Sequence, residues 1–484
     1  MMRTELFNSY TVNSEKLWKA ENTLYAFEEL LDQATQQFGA EYVEIRAQQL
    51  SKTTITMKEG RAETAKQGIE QGVALRVLLD GAWGFASAGS FDIQVLSRIM
   101  QDACKMAKAT SSSLKTPIKL AHVKTYEDKV KIKTAKNPAK IPIGEKIDTL
   151  CRINKRVLGY DKRLKSCTVE YLDVMGTSYF FSSEGARIEQ DKIAVWSKIT
   201  ASAVQNGVFT FSREEVGSTD GFEVFDGDKP EVLGEKIAKR AVEQLEAEAP
   251  KGGLYPVVLG PNVVGVLMHE AFGHLSEADL TLSSGLLLGA IGKKIASNLV
   301  TCYDDGTING AFGSFKYDDE GVPAQKTPLI KEGVVAGLMH NRETAMKFGV
   351  APTGNARAED FHVEPIIRMR NTFMEPRDCS LEELLEEVKQ GYYFKTFIGG
   401  QANLDGTFQV GIQEGYEIVK GKLGKPVRYA SISGNTLETL FKVEAVGRDF
   451  ELSPGRCGKG QTAFVCDGGP HIRVKEMLVG GSSK

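Results

Sequence analysis

Two histidines lie five residues apart in one apolar-flanked segment, and a glutamate directly follows the first of them. They are His269, Glu270 and His274, in the pattern H-E-x-x-x-H. Imidazole is the commonest transition-metal ligand in proteins, and a carboxylate beside such a ligand can act as a general base. The pattern therefore predicts a metal site that activates water, although it is one residue longer than the H-E-x-x-H of common zinc peptidases.

The five-residue spacing restricts the backbone between the two histidines. On a regular α-helix, residues i and i+5 point about 140° apart, so their side chains cannot reach one metal ion. A shared metal requires a π-type turn, a kink or a break between His269 and His274, and we expect Gly273 to supply backbone freedom there. The alternative is an ordinary amphipathic helix with one buried and one exposed histidine.

A third metal ligand has to come from another residue, because catalytic zinc usually takes three protein ligands and leaves one position for water. Glu277 and Asp279 are close enough along the chain to provide it. Cys457 is the distant candidate, since the glycines around it give its loop freedom and Lys459 would lower the pKa of the thiol. Spacing alone leaves these three candidates open. Zinc suits a His-His-Cys set because thiolate is a soft ligand.

The bulk composition bounds the class of protein. The chain has 484 residues, of which 42% are hydrophobic and 25% charged, as in soluble globular proteins of two or more domains. A net charge of −3 speaks against direct nucleic-acid binding. Seven scattered cysteines favour a reducing cytoplasm. Residues 1–8 lack the apolar segment of a signal peptide, and no apolar run is long enough to span a membrane.

The first half of the chain alternates helical and strand patterns in the order of an α+β domain. Helices are predicted at 23–39, 92–108, 145–157 and 230–247, and strands at 42–48, 53–57, 72–79, 84–87, 166–172, 176–182, 186–190, 193–204 and 208–213. Asn206 and Gly207 predict a hairpin turn between the last two strands. We therefore expect residues 1–248 to form an N-terminal domain of helices and antiparallel sheet.

A Pro- and Gly-containing segment at 249–253 is the expected domain boundary. Beyond it, an apolar strand at 255–259 precedes the metal-motif helix, and closely spaced turns follow. One further helix is predicted from Ser380, with a capping box to Glu383 and a stop at Gly391. Residues 249–484 are thus expected to form a mostly β C-terminal domain. Arg357 and Arg368 could bind substrate or lie on strand surfaces.

The sequence resembles the TldD/PmbA metallopeptidases, which are also labelled modulators of DNA gyrase, over most of its length. The resemblance rests on the segment 76–87, on the H-E-x-x-x-H motif with the acids that follow it, and on 457–461 and 479–481. It implies that His269, His274 and Cys457 hold zinc and that Glu270 is the general base. Because all four residues are present, the chain is most similar to the TldD branch, which carries the metal. Glu277 and Asp279 would then orient a ligating imidazole.

The resemblance also implies an activity and a partner. We expect a cytoplasmic, zinc-dependent peptidase that cleaves unfolded or short peptides with metal-activated water. Its partner would be a metal-less TldE/PmbA-like subunit or a second copy of the chain. The alternative is a non-catalytic regulatory or structural zinc protein that acts on a DNA-processing, gyrase-related partner.

Overall fold

The computed structural model describes residues 20–481. Residues 1–8, which the sequence analysis compared with signal peptides, lie outside this range. Within the described residues, no helix is long and apolar enough to cross a membrane.

The N-terminal part contains four α-helices and seven strands among the described residues. In chain order they are α1 (Ala20–Gln36), β1 (Tyr42–Lys58), β2 (Arg61–Leu79), β3 (Ala82–Ala88), α2 (Ile93–Ser111), β4 (Glu127–Val130), α3 (Ile143–Leu158), β5 (Leu164–Ser182), β6 (Arg187–Gln205), β7 (Val208–Ser218) and α4 (Lys229–Glu243). Short 3₁₀ turns occur at Pro138–Lys140, Phe222–Phe225 and Gln244–Glu246.

The strands form one sheet in the order β3-β2-β1-β5-β6, with β7 antiparallel to the second half of β6 and β4 parallel to its first residues. Several predicted short strands are fused: 42–48 and 53–57 are both part of β1, and 166–172 and 176–182 are both part of β5. The predicted hairpin turn at Asn206 and Gly207 is confirmed, with both residues at positive φ.

Side-chain alternation gives this long sheet two different faces. Val43, Ile45 and Ala47 of β1 pack into an apolar cluster under α1 and α2, and Ile55 and Met57 pack into a second one under α3 and α4. The even-numbered residues face the C-terminal part, where Arg46 donates a hydrogen bond of 2.5 Å to the carbonyl of Val363. The sheet is therefore a platform between its own helices and the C-terminal part.

The C-terminal part is richer in strands. Its elements are β8 (Gly253–Leu259), α5 (Pro261–Val266), a π-helix (Leu267–Gly273), a 3₁₀ turn (His274–Ser276), α6 (Ala278–Ser284), β9 (Cys302–Asp305), β10 (Lys326–Lys331), β11 (Val334–Val335), α7 (Arg342–Phe348), β12 (Ala356–Arg357), β13 (Ile366–Ile367), β14 (Asn371–Met374), α8 (Leu381–Glu386), β15 (Gln390–Ala402), β16 (Thr407–Val419), β17 (Lys422–Val427), β18 (Ala430–Asn435), α9 (Thr436–Phe441), β19 (Val443–Val446), β20 (Glu451–Gly458), β21 (Thr462–Gly469) and β22 (Ile472–Gly481).

Two sheets enclose the main C-terminal core. One has the order β15-β8-β22-β18-β16-β17 and closes into a barrel because β15 also pairs with β16. The other has the order β11-β10-β9-β14-β21-β20. Helix α5 and the π-helix pack against strands of both sheets, so the predicted metal motif lies at their junction.

The architecture is α+β, as predicted, while the division of the chain near residue 249 stays a prediction. The capping box of Ser380 and Glu383 is confirmed, but α8 ends at Glu386 and Gly391 belongs to β15. The short helices α6, α7 and α9 were not predicted from the sequence. They have six or seven residues each, too few for the apolar periodicity of a helix to show.

A buried cluster of charges joins the two parts of the molecule. The Arg76 guanidinium contacts Glu44 at 2.8 Å and Glu320 at 2.7 Å, and all three side chains are at most 5% exposed. The ring of Trp83 lies 4.2 Å from the guanidinium. Arg76 and Trp83 belong to the segment 76–87 on which the family resemblance rests, so that segment fixes the N-terminal sheet against the C-terminal part.

Candidate metal centre

The helix that carries the histidines changes its width between them. Residues Leu267–Gly273 form a π-helix, and the backbone N–H of His274 donates to the carbonyl of His269, five residues earlier. This is the wider turn that the spacing requires for a shared ion, and the two ring centroids lie 5.3 Å apart.

The structure explains the glycine at position 273 differently from the prediction. Its backbone is in the ordinary right-handed helical region, so the freedom of glycine is not used. A Cβ atom there would instead lie 2.2 Å from the sulfur of Met369. Gly273 therefore provides space beside the second histidine rather than backbone flexibility.

Three side chains converge at this turn. The ligand atoms of His269, His274 and Cys457 all lie within 4.8 Å of one another, and Cys457 Sγ is 3.4 Å from His274 Nε2. Nitrogen and sulfur donors on one tetrahedral zinc ion are separated by about 3.5 Å. The cluster therefore fits a single ion after a small closure.

Cys457 is presented by a strand rather than by the predicted loop. It lies near the end of β20, opposite Ala463 of β21, and is 7% exposed. The buried guanidinium of Arg368 donates to the Cys457 carbonyl at 2.8 Å and also binds the carbonyl of Gln461. Arg368 thus fixes the hairpin that carries the thiol, which is neither of the roles that the sequence analysis considered for it.

The electrostatics of the cluster favour a thiolate. Burial opposes ionisation of Cys457, but the positive charges of His269 and His274 overcome it and lower the pKa of the thiol to about 4. Burial would depress the pKa of His274, yet its contacts with Cys457 and Glu277 raise that pKa to about 10. The thiolate and the two protonated imidazoles thus stabilise one another. A metal ion that binds to these three groups would displace the imidazole protons and take their place beside the thiolate.

Glu277 contacts the outer nitrogen of a candidate ligand. Its carboxylate accepts a hydrogen bond of 2.9 Å at His274 Nδ1, which leaves Nε2 facing Cys457. Glu277 is fully buried, and Lys459 lies 3.2 Å from it. Burial would raise the pKa of Glu277, but the hydrogen bond from His274 and the charge of Lys459 lower it. This matches the carboxylate–histidine pairs that fix imidazole orientation in metal sites.

Asp279 and Lys459 form an ion pair beside this chain of contacts. Lys459 Nζ lies 2.7 Å from Asp279 and donates at 3.0 Å to the carbonyl of Ile367. The predicted action of Lys459 on the thiol is not what the structure displays, because the ammonium faces carboxylates and the histidines lower the thiol pKa.

Two members of the cluster, His269 and Cys457, line a cavity of about 400 Å³ together with Glu270, and we call it the metal cavity. The Glu270 carboxylate is 4.0 Å from His274 Nε2 and 30% exposed, so it reaches the space next to the candidate ligands. A second cavity, of about 450 Å³, lies on the other face of the β20–β21 hairpin, against the N-terminal sheet.

Asp467 of β21 also lines the metal cavity and was not predicted from the sequence. It is 9% exposed, and burial followed by the nearby charge of Glu270 raises its pKa to about 7, against an opposing effect of His269. Asp467 carries no motif signal, because it lies 198 positions after His269 and only strand pairing brings it to the site.

Comparisons with known proteins agree on one family. Family models for the first, central and C-terminal domains of PmbA/TldA metallopeptidases match residues 43–107, 136–245 and 252–481. A "Metalloprotease" of Methanothermobacter thermautotrophicus is 39% identical over 91% of this chain and 96% of its own. A "Zinc metalloprotease TldD homolog" of Saccharolobus solfataricus is 35% identical over 92% and 98%. The crystal structure of TldE from Thermococcus kodakarensis has the same fold, with a TM-score of 0.75, 21% identity, and coverage of 94% of this chain and all of that one.

Proposed function

The chain belongs to the PmbA/TldD family of metallopeptidases, and we propose that it is a zinc-dependent peptidase that cleaves unfolded or short peptides. The observation that carries the proposal is the convergence of His269, His274 and Cys457 at the wall of a cavity that is lined by His269, Cys457 and Glu270. Among the described residues three donors gather, rather than the closed set of four that is typical of structural zinc.

The donor set suits zinc in particular. Two imidazoles and one thiolate are borderline and soft ligands, a combination that zinc accepts with tetrahedral geometry. When bound, zinc would acidify a water molecule and stabilise negative charge on a carbonyl oxygen. The relative from Saccharolobus solfataricus carries zinc in its name, which supports the same choice.

Each residue of the cluster then has a defined task. His269, His274 and Cys457 hold the ion, and Glu277 keeps His274 Nε2 directed at it. Glu270 is the general base: its partly exposed carboxylate takes a proton from the attacking water and passes it to the leaving amine. Glu270 is not held by an ion pair with Lys or Arg among the described residues, so its carboxylate is free to move a proton.

The shape of the cavity supports extended substrates. It is lined by β15 beyond Phe394, where the pairing with β8 has ended, and by β20, the terminal strand of its sheet. Within the described part of the chain, no strand pairs with the outer edge of either segment, and such edges accept a peptide as an additional strand through main-chain hydrogen bonds. A volume of about 400 Å³ admits a short stretch of extended chain and excludes a folded domain.

A partner subunit is part of the proposal. The likeness to the TldE structure supports pairing of this chain with a metal-less, TldE/PmbA-like relative, and pairing with a second copy is the other arrangement. Size measurement of the chain alone and after mixing with such a relative distinguishes the two.

The test combines metal analysis with peptide cleavage. We expect about one zinc ion per chain and cleavage of unfolded peptides that a chelator stops and added zinc restores. In Glu270→Gln, hydrolysis should fall by about 10²–10⁴-fold, while zinc content stays at the wild-type level. Glu63→Gln, on the exposed β1–β2 hairpin, is the matched control and should cleave normally. Full activity in Glu270→Gln would remove the general base, and chelator-resistant activity would remove the metal.

A further inference from the structure

The two candidate histidine ligands differ in how their outer nitrogens are supported. His274 Nδ1 is hydrogen-bonded to Glu277, whereas His269 Nδ1 is buried with no hydrogen-bond partner among the described residues. Metal-ligating histidines almost always donate their other ring N–H to a carboxylate, a carbonyl or a water. A buried polar atom without a hydrogen-bond partner is unfavourable, so the unpartnered nitrogen of His269 needs an explanation.

A buried carboxylate oxygen without a partner lies on the strand beside it. Asp467 Oδ1 has no hydrogen bond within the described part of the chain. By alternation along β21, Asp467 faces the same side as Ala463 and Val465, and Ala463 is directly opposite Cys457. The two unpartnered atoms therefore belong to the two elements that build one wall of the metal cavity.

Gly265 places Asp467 relative to the histidine. A Cβ atom on Gly265 would lie 2.4 Å from Asp467 Oδ1, so the carboxyl group occupies the space that a side chain would fill there. Gly265 precedes His269 by four residues, about one helical turn, and helical side chains lean toward the N-terminus. The carboxyl group thus lies next to the imidazole of His269. Ala463, which is opposite Cys457, and Asp467 are separated by about 13 Å of strand, so Cys457 and Asp467 approach His269 from different positions along the β20–β21 hairpin.

We propose that Asp467 is a positioning residue for the metal site: it accepts a hydrogen bond from His269 Nδ1–H, directly or through one buried water, and so directs Nε2 at the ion. The inference rests on the proposed metallopeptidase function. It gives each imidazole its own carboxylate, Glu277 from the local chain for His274 and Asp467 from the facing strand for His269.

Substitution of Asp467 should lower the zinc affinity without lowering the stability of the metal-free protein. In Asp467→Asn and Asp467→Ala, zinc affinity should fall by about 10–100-fold, with Ala the larger loss because the amide oxygen of Asn still accepts. The proposed hydrogen bond forms when the ion fixes the imidazole, whereas without the ion Asp467 Oδ1 is buried with no hydrogen-bond partner among the described residues. The metal-free variants should therefore be as stable as the metal-free wild type or more stable. A purely structural acid would instead lower the stability of the metal-free protein.

Zinc affinity is measured by competition with a chromophoric chelator, and stability by urea unfolding after metal removal. Asp449→Asn is the matched control: Asp449 binds His471, on the rim of the same cavity, at 2.7 Å, and its loss should leave zinc affinity unchanged. In the His269→Gln background, Asp467→Ala should cause no further loss, because its effect passes through that imidazole.

Four results separate the role of Asp467 from the proposed function. Wild-type zinc affinity in Asp467→Ala, or an undiminished additional loss in the His269→Gln background, overturns the role of Asp467. The expected pattern, with a loss confined to Asp467 variants and absent from Asp449→Asn, supports it. Failure of the wild-type chain itself to bind zinc would contradict the proposed function instead.

Discussion

The contact between Glu277 and His274 allows a sharp test of how the site is held. In Glu277→Gln an amide of the same shape replaces the carboxylate, so the hydrogen bond of 2.9 Å can persist but loses its charge. A charged hydrogen bond exceeds a neutral one by about 1–1.5 kcal/mol, which corresponds to a zinc affinity lower by about 5–10-fold. Full burial of Glu277 means that solvent cannot replace the lost interaction.

The matched variant is Asp279→Asn, which removes the other carboxylate of Lys459 and leaves the imidazole contact intact. Chelator competition should give nearly wild-type zinc affinity for Asp279→Asn and the predicted loss for Glu277→Gln. Equal losses in both variants would refute the reasoning, because the effect would then pass through Lys459 rather than through the orientation of His274.

Two further predictions concern stability. Arg76→Met should lower the free energy of unfolding by about 3–5 kcal/mol, because it leaves the buried carboxylates of Glu44 and Glu320 without their cation. The control is Arg61→Met, which is exposed on the same strand and should change the free energy of unfolding by less than about 0.5 kcal/mol. Urea unfolding of both variants measures the difference. Burial lowers the pKa of His340 in the folded protein from 6.5 to about 4. As the pH falls below 6.5, the unfolded chain is protonated first, so stability is lost between pH 6.5 and the folded pKa of about 4. At pH 5 the loss is about 2 kcal/mol, and it should be absent from His340→Gln when unfolding is compared at pH 7 and pH 5; the same pH dependence in both proteins would show that other groups cause it.

The sequence predicted correctly those features that depend on interactions between residues close together in the chain. The turn at Asn206 and Gly207 and the capping box at Ser380 depend on a few consecutive residues, and both are as predicted. Strand lengths were not, because β1 continues through residues 49–52, where the pattern of short strands predicted an interruption. Pairing with β2 on one side and β5 on the other stabilises that stretch, and neither partner is adjacent in sequence at that point.

The sequence by itself determined the chemistry of the motif: two imidazoles and a carboxylate at a spacing that demands a widened helical turn for a shared ion. It also supplied three competing third donors and no physical reason to choose among them. Only the tertiary structure decided that Cys457 stands beside His274 while Glu277 binds its far nitrogen. The reason is that donor type and helical spacing are encoded within a few residues. The distance between groups 183 positions apart depends instead on which strands pair and how two sheets pack.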